Sequence, residues 1–180
     1  MKYQFVAGRL LNMGTRAIFL LASLLATTCL VAAQSGAELA VVPRHELEIR
    51  GLKDPEGVLR DLPALVERAT AAMDFKELAM LQLARANACR VMANWPCQAN
   101  AAANAQRAAE AAKLPDLQAR GLIIEGSSRI AMQDFSRAAQ LLGTAERLLK
   151  QYPFPELTAD MYLVYSSLSH TVGKHAVAAR

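Results

Sequence analysis

The stretch that most constrains the fold is "DFSRAAQLLGTAERLLKQYP", residues 134–153. Its leucines recur three and four positions apart, which is the spacing of an amphipathic helix. Small Ala138 and Ala145 lie on the same pattern, where a second backbone would have to approach closely. This segment therefore predicts the second helix of a helical hairpin.

The same pair of alanines recurs along the chain. A shift of 37 residues leads from Ala138 and Ala145 to Ala101 and Ala108, and a second such shift leads to Ala64 and Ala71. Turn signals such as "AMDF", "NWPC", "KLPD", "MQDF" and "YPFPE" separate the apolar segments, and no window alternates with period two for long. The pattern predicts an all-α fold, an α-solenoid of stacked helical hairpins over residues 54–180 whose last repeat is incomplete.

The N-terminal 33 residues have the features of a targeting segment. Lys2, Arg9 and Arg16 precede an uncharged run that ends in Val31-Ala32-Ala33 before Gln34. A basic flank, an apolar stretch and small residues at the end indicate a secretory signal peptide. The alternative is a retained N-terminal anchor, because a run of 17 residues is at the lower limit for spanning a bilayer. Either way the rest is exported, to the periplasm or the periplasmic face of the inner membrane, and residues 34–53 are predicted to be a linker.

The charge distribution argues against a nucleic-acid partner. The chain has a net charge of +4, of which residues 1–33 supply three, so the remainder carries only +1. A nearly neutral body lacks the basic surface that polyphosphates require.

Cysteine usage allows one disulfide in an exported protein. If Cys29 leaves with a signal peptide, Cys89 and Cys97 remain as an even pair in an oxidising compartment. The alternative is two small buried residues, since spacing alone does not show that two side chains meet.

The sequence contains no motif for chemistry of its own. His170 and His175 lie five residues apart, which does not place two imidazoles on one helical face, and there is no P-loop, G-x-G-x-x-G or G-x-S-x-G motif. We therefore expect no enzyme activity, no cofactor and no metal site.

Gly126, Phe135, Ala138 and Ala145 resemble the small, aromatic and alanine positions of the tetratricopeptide repeat. The resemblance implies a concave groove that is formed by the first helix of each hairpin and binds a peptide or protein segment. By analogy it places Arg120, Ile123, Ser127 and Ile130 in that groove. Tyr162 and Tyr165, one turn apart on the first helix of the final pair, line either this groove or the core.

A narrower resemblance begins at "LKDPEGVLRDLPALVERATAAMD", residues 52–74, followed by alanine-rich helical pairs. This order is similar to the N-terminal periplasmic sensor region of bacterial membrane-bound diguanylate cyclases with tetratricopeptide-like repeats. The resemblance implies a non-catalytic sensor module whose GGDEF domain lies beyond residue 180, because the chain has no Gly-Gly pair. Membrane contact is then expected only through the N-terminal segment or a downstream helix. The alternative is a periplasmic scaffold or assembly protein.

The final segment, "SHTVGKHAVAAR", predicts a turn at Gly173 and the start of another second helix. Only a few residues follow that turn, and such short helices are marginal in water. We therefore expect the input portion of a longer signalling protein, or a truncated relative of one.

Overall fold

A computed structural model describes residues 45–178, which form seven helices and no strands. The predicted targeting segment, residues 1–33, and most of the predicted linker lie outside the described residues. The helices are α1 Glu46–Arg50, α2 Pro55–Ala71, α3 Phe75–Val91, α4 Trp95–Ala111, α5 Pro115–Ala131, α6 Phe135–Gln151 and α7 Pro155–Ala178. The all-α class predicted from the apolar spacing is confirmed for these residues.

From α2 onward a new helix begins every 20 residues, and the links α2–α3 to α5–α6 share one conformation. The link residues with positive φ, between +52° and +62°, are Met73, Ala93, Lys113 and Gln133. The following residue donates its N–H to a carbonyl five positions back, as Asp74 does to Ala69 at 2.9 Å, which is a Schellman ending. Asp54, Asp74, Asn94 and Asp134 then cap the next helix with their side chains.

The repeat of a helical pair is therefore 40 residues, and the 37-residue shift is wrong. The columns of residues that are buried in all of α2, α4 and α6 are Val58, Gln98 and Ala138, then Leu62, Ala102 and Leu142, then Ala69, Ala109 and Leu149. Ala101, Ala108, Ala138 and Ala145 are buried as expected, but Ala64 and Ala71 are exposed. Alanine is so frequent here that two columns agreed by coincidence.

The helices of this unit pack in two sets. Consecutive helices contact each other, and α1, α3, α5 and α7 also contact in series, α1 with α3, α3 with α5 and α5 with α7. Within residues 45–178, α2, α4 and α6 have no contact with one another. The first set is thus closely packed, whereas the second set is spread apart over it.

The predicted linker is wrong for residues 45–53, because α1 is part of the packed unit. Leu47 and Glu48 are 6% and 2% exposed, and His45 caps the helix by accepting from the Leu47 N–H at 3.1 Å. A helix of five residues has too few positions to show a 3.6-residue period, so the sequence gave no signal for it.

The predicted turn at Gly173 is also wrong, since α7 continues without a break to Ala178. A helical glycine is less favourable than alanine by about 1 kcal/mol, which weakens a helix but does not end it. The packed part of α7 lies earlier, where Leu157, Met161 and Leu168 are buried in the core shared with α5 and α6.

We predict opposite effects for two helical glycines. A Cβ at Gly121 would lie 2.8 Å from Gln106 Cγ and 3.1 Å from the Ala102 carbonyl oxygen. Because Gln106 also donates to the buried Glu125 carboxylate at 2.8 Å, displacing it breaks a useful hydrogen bond. Gly121→Ala should lower the free energy of unfolding by about 1–2 kcal/mol, measured by urea denaturation.

Gly143→Ala is the matched control. A Cβ at Gly143 meets only the Tyr165 hydroxyl, at 3.9 Å, which is an ordinary contact. Removing a helical glycine there should raise the free energy of unfolding by about 0.5–1 kcal/mol. A stabilising effect of Gly121→Ala would contradict the close crossing of α4 and α5.

Candidate functional site

A cavity of about 160 Å³ opens between α3, α5 and α7, the helices of the closely packed set. Its walls combine polar and apolar side chains: Asn87 from α3, Arg120, Ile123 and Ile124 from α5, and Leu157 and Asp160 from α7. The cavity exists because these helices meet at residues whose side chains differ in length and polarity.

The polar wall is organised by a buried ion pair. Arg120 Nη1 donates to Glu48 Oε1 at 3.0 Å, and Nη2 of the same guanidinium donates to Glu48 Oε2. Asn87 Nδ2 also donates to Glu48 Oε2, at 3.0 Å. A bidentate pair of this kind holds both side chains in one geometry, so α1 fixes the orientation of Arg120 at the cavity wall.

The rest of the cavity is apolar at the wall and acidic on the surface. Ile123 and Leu157 are 5% and 2% exposed, while Asp160 is exposed. No ion pair or side-chain hydrogen bond involves Asp160 among the described residues. The arrangement suits an apolar side chain that carries a cation or an N–H donor nearby.

The structure brings together only part of the predicted groove. Arg120 and Ile123 line the cavity, but both are nearly buried, so they contribute walls and little open surface. Ile130 is in the hydrophobic core, and Ser127 is half-buried away from the cavity lining. The positions taken from the tetratricopeptide pattern therefore do not form one continuous surface.

Tyr162 and Tyr165 lie beside α6, away from the cavity. The Tyr165 hydroxyl faces Gly143, and burial raises the pKa of Tyr165, with a further contribution from the Glu146 carboxylate. Lys150 contacts the same carboxylate at 2.9 Å, and this pairing raises the pKa of the lysine. Tyr165 packs against the core, while Tyr162 is 59% exposed.

Comparison with known proteins adds no relative to this description. No family model, curated protein or solved structure matches this chain. Among the described residues, no helix is both long and apolar enough to cross a membrane, and no cluster of His, Cys, Asp or Glu has the makings of a metal site. The argument about function therefore depends on the geometry of this chain.

Cys89 and Cys97 are joined by a disulfide, with their Cα atoms 5.8 Å apart. Cys89 lies near the end of α3 and Cys97 in the first turn of α4, so the bond clamps the "NWP" link. Trp95, the first residue of α4, is half-buried at this link. His170 is exposed on α7, consistent with a solvated side chain.

Sequence reasoning missed Asn87, Leu157 and Asp160 at the cavity. A signal for one of them was present, since a 40-residue shift from Arg120 leads directly to Asp160. The 37-residue shift leads instead to Leu157, which we did not single out. Asn87 had no such signal, because it reaches the site through Glu48 on α1.

Proposed function

We propose that residues 45–178 form a tetratricopeptide-like solenoid that works as a binding module for a peptide or protein segment. The close packing of α1, α3, α5 and α7 and the separation of α2, α4 and α6 support this reading. Helices that approach on one side and spread on the other curve an array, and the closely packed set then forms its concave wall.

The cavity between α3, α5 and α7 carries the proposal. Its volume of about 160 Å³ suits a single apolar side chain, and exposed Asp160 stands beside it. We therefore propose a ligand segment with an apolar anchor next to a lysine or arginine. Anchors of this kind, seated in a pocket, supply most of the binding energy of an interface.

In the wider setting, we propose a non-catalytic, exported sensor, the input portion of a diguanylate cyclase-type signalling protein or a truncated relative of one. The resemblance of residues 52–74 to such sensor regions supports it. The alternative is a periplasmic scaffold with no signalling output. Reading the gene beyond codon 180 separates them, because a transmembrane helix followed by a GGDEF domain favours the sensor and a stop codon favours the scaffold.

Groove binding is tested by selecting phage-displayed dodecapeptides on the exported, oxidised protein. We expect enriched peptides to share an apolar residue beside a basic one. Asp160→Arg should weaken them at least about tenfold, because it reverses the charge that meets the basic residue, a change of roughly 1.4 kcal/mol or more.

Glu110→Arg is the matched control, since Glu110 is an exposed acid on α4 and contributes nothing to the cavity. It should leave peptide affinity within about twofold of the unmodified protein, as expected for a charge screened by solvent. Equal losses for the two variants, or no peptide enriched over an empty surface, would overturn the groove proposal.

A further inference from the structure

A second cavity, of about 340 Å³, lies on the opposite set of helices, between α2, α3 and α4. It exists because α2 and α4 both pack on α3 but do not contact each other. Its apolar lining comes from Val66, Phe75, Leu78, Ala108 and Ala111. The two alanines are too short to fill the gap, and the volume falls within the usual range of about 300–1,000 Å³ for small-molecule sites.

Gln82 places an unpaired polar group in this cavity. Its side chain lines the cavity although the residue is only 5% exposed, and its Oε1 accepts no hydrogen bond from the described protein. Leaving a buried carbonyl without a donor costs about 1–3 kcal/mol, so such a group in a core position calls for a partner. A hydroxyl or N–H group on a bound molecule would supply the missing donor.

Arg107 provides a charge at the outer end of the same cavity. It is exposed, it donates to Asn104 one turn earlier on α4, and no carboxylate pairs with it among the described residues. Because Gln82 is buried and Arg107 faces solvent, the donor requirement lies at the inner end and the positive charge at the mouth. An arginine in this position favours a carboxylate.

We propose that this cavity binds a small apolar carboxylate that carries a hydrogen-bond donor at the end remote from the carboxylate. The donor bonds to Gln82 Oε1, the apolar body packs against Phe75 and Leu78, and the carboxylate meets Arg107. This site is independent of the groove between α3, α5 and α7, and each can fail without the other.

The test uses 4-hydroxyphenylacetate as the probe and isothermal titration calorimetry on the full exported chain. We expect saturable binding with a dissociation constant below about 1 mM. Phenylacetate, which lacks the donor, should bind about tenfold more weakly, and 2-(4-hydroxyphenyl)ethanol, which lacks the carboxylate, should also bind about tenfold more weakly. A tighter complex with 4-methoxyphenylacetate would overturn the assignment of Gln82 as an acceptor.

Variants assign the two ends. Gln82→Leu removes the acceptor, so it should abolish the preference for the hydroxylated probe while leaving the melting temperature unchanged or higher, because no buried oxygen is left unpaired. Arg107→Gln should remove the preference for the carboxylate over the alcohol. Arg137→Gln, at an exposed arginine on α6, is the control and should change neither preference.

Filling the cavity tests its location. Ala111 lines the mouth and is exposed, so Ala111→Phe should weaken the probe at least about tenfold by occupying its space. Ala139→Phe, at an exposed alanine on α6 outside the cavity, should have no effect. The proposal is overturned by any of three results: no saturable binding to the unmodified chain, equal effects of the two phenylalanine variants, or a hydroxyl preference that survives in Gln82→Leu.

Discussion

Replacing Arg120 with methionine should lower the free energy of unfolding by about 3–5 kcal/mol. The guanidinium and the Glu48 carboxylate are 8% and 2% exposed as residues, and they join positions 72 residues apart. Without Arg120 the carboxylate keeps only the Asn87 amide as a charge-stabilising partner. The loss comes mainly from that unpaired charge and not from the absence of an attraction.

The double variant Glu48→Leu/Arg120→Met distinguishes these causes. Replacing both charges with apolar groups should recover most of the loss, because buried ion pairs exchanged for well-packed apolar residues are often neutral. Urea denaturation followed by circular dichroism measures all three proteins, with Arg137→Met on exposed α6 as the control. A loss of less than about 1 kcal/mol in Arg120→Met would show that Glu48 can reach water, for example by release of α1.

Breaking the Cys89–Cys97 disulfide should lower the free energy of unfolding by about 2–3 kcal/mol. The bond closes a loop between residues eight positions apart, and the chain-entropy estimate for so short a loop is roughly 2.5 kcal/mol. The comparison is between oxidised and reduced protein in the same denaturant series. Cys97→Ala supplies the control, because adding reductant to that variant should change nothing.

The chemical state of the cysteines is measured separately on exported, denatured protein. No free thiol from Cys89 or Cys97 should react, since the two sulfurs are bonded to each other. Two reactive thiols would contradict the disulfide, and an unchanged stability on reduction would mean that the "NWP" link is already held by its capping interactions.

The helices and most of their ends were readable from the sequence, because their signals are local. Asp54-Pro55 marks the start of α2, and "NWPC" contains both the Asn94 cap and the start of α4. The spacing of the pairs was misread because alanine fills many positions in this chain and carries little positional information. The capping residues, which recur every 20 positions from Asp54 to Asp134 with Leu114 in between, are the more specific ruler.

The sites were less predictable because they depend on contacts between distant segments. Nothing local in "HELEIR" indicates that Glu48 meets Arg120, and a buried glutamate is unexpected from composition alone. Gln82 likewise lies on a helix that is otherwise a regular core element. Its unpaired oxygen follows from the gap between α2 and α4, which only their packing on α3 reveals.

The shared conformation of the links also limits how the length of this chain can vary. Since each link sets the next helix at the same angle, deleting or duplicating one 40-residue pair preserves the geometry on both sides. Inserting one residue inside a helix would instead rotate everything beyond it by about 100° and turn core side chains toward water. Viable length variants of this array should therefore differ by whole pairs of helices, which makes the hairpin its unit of growth.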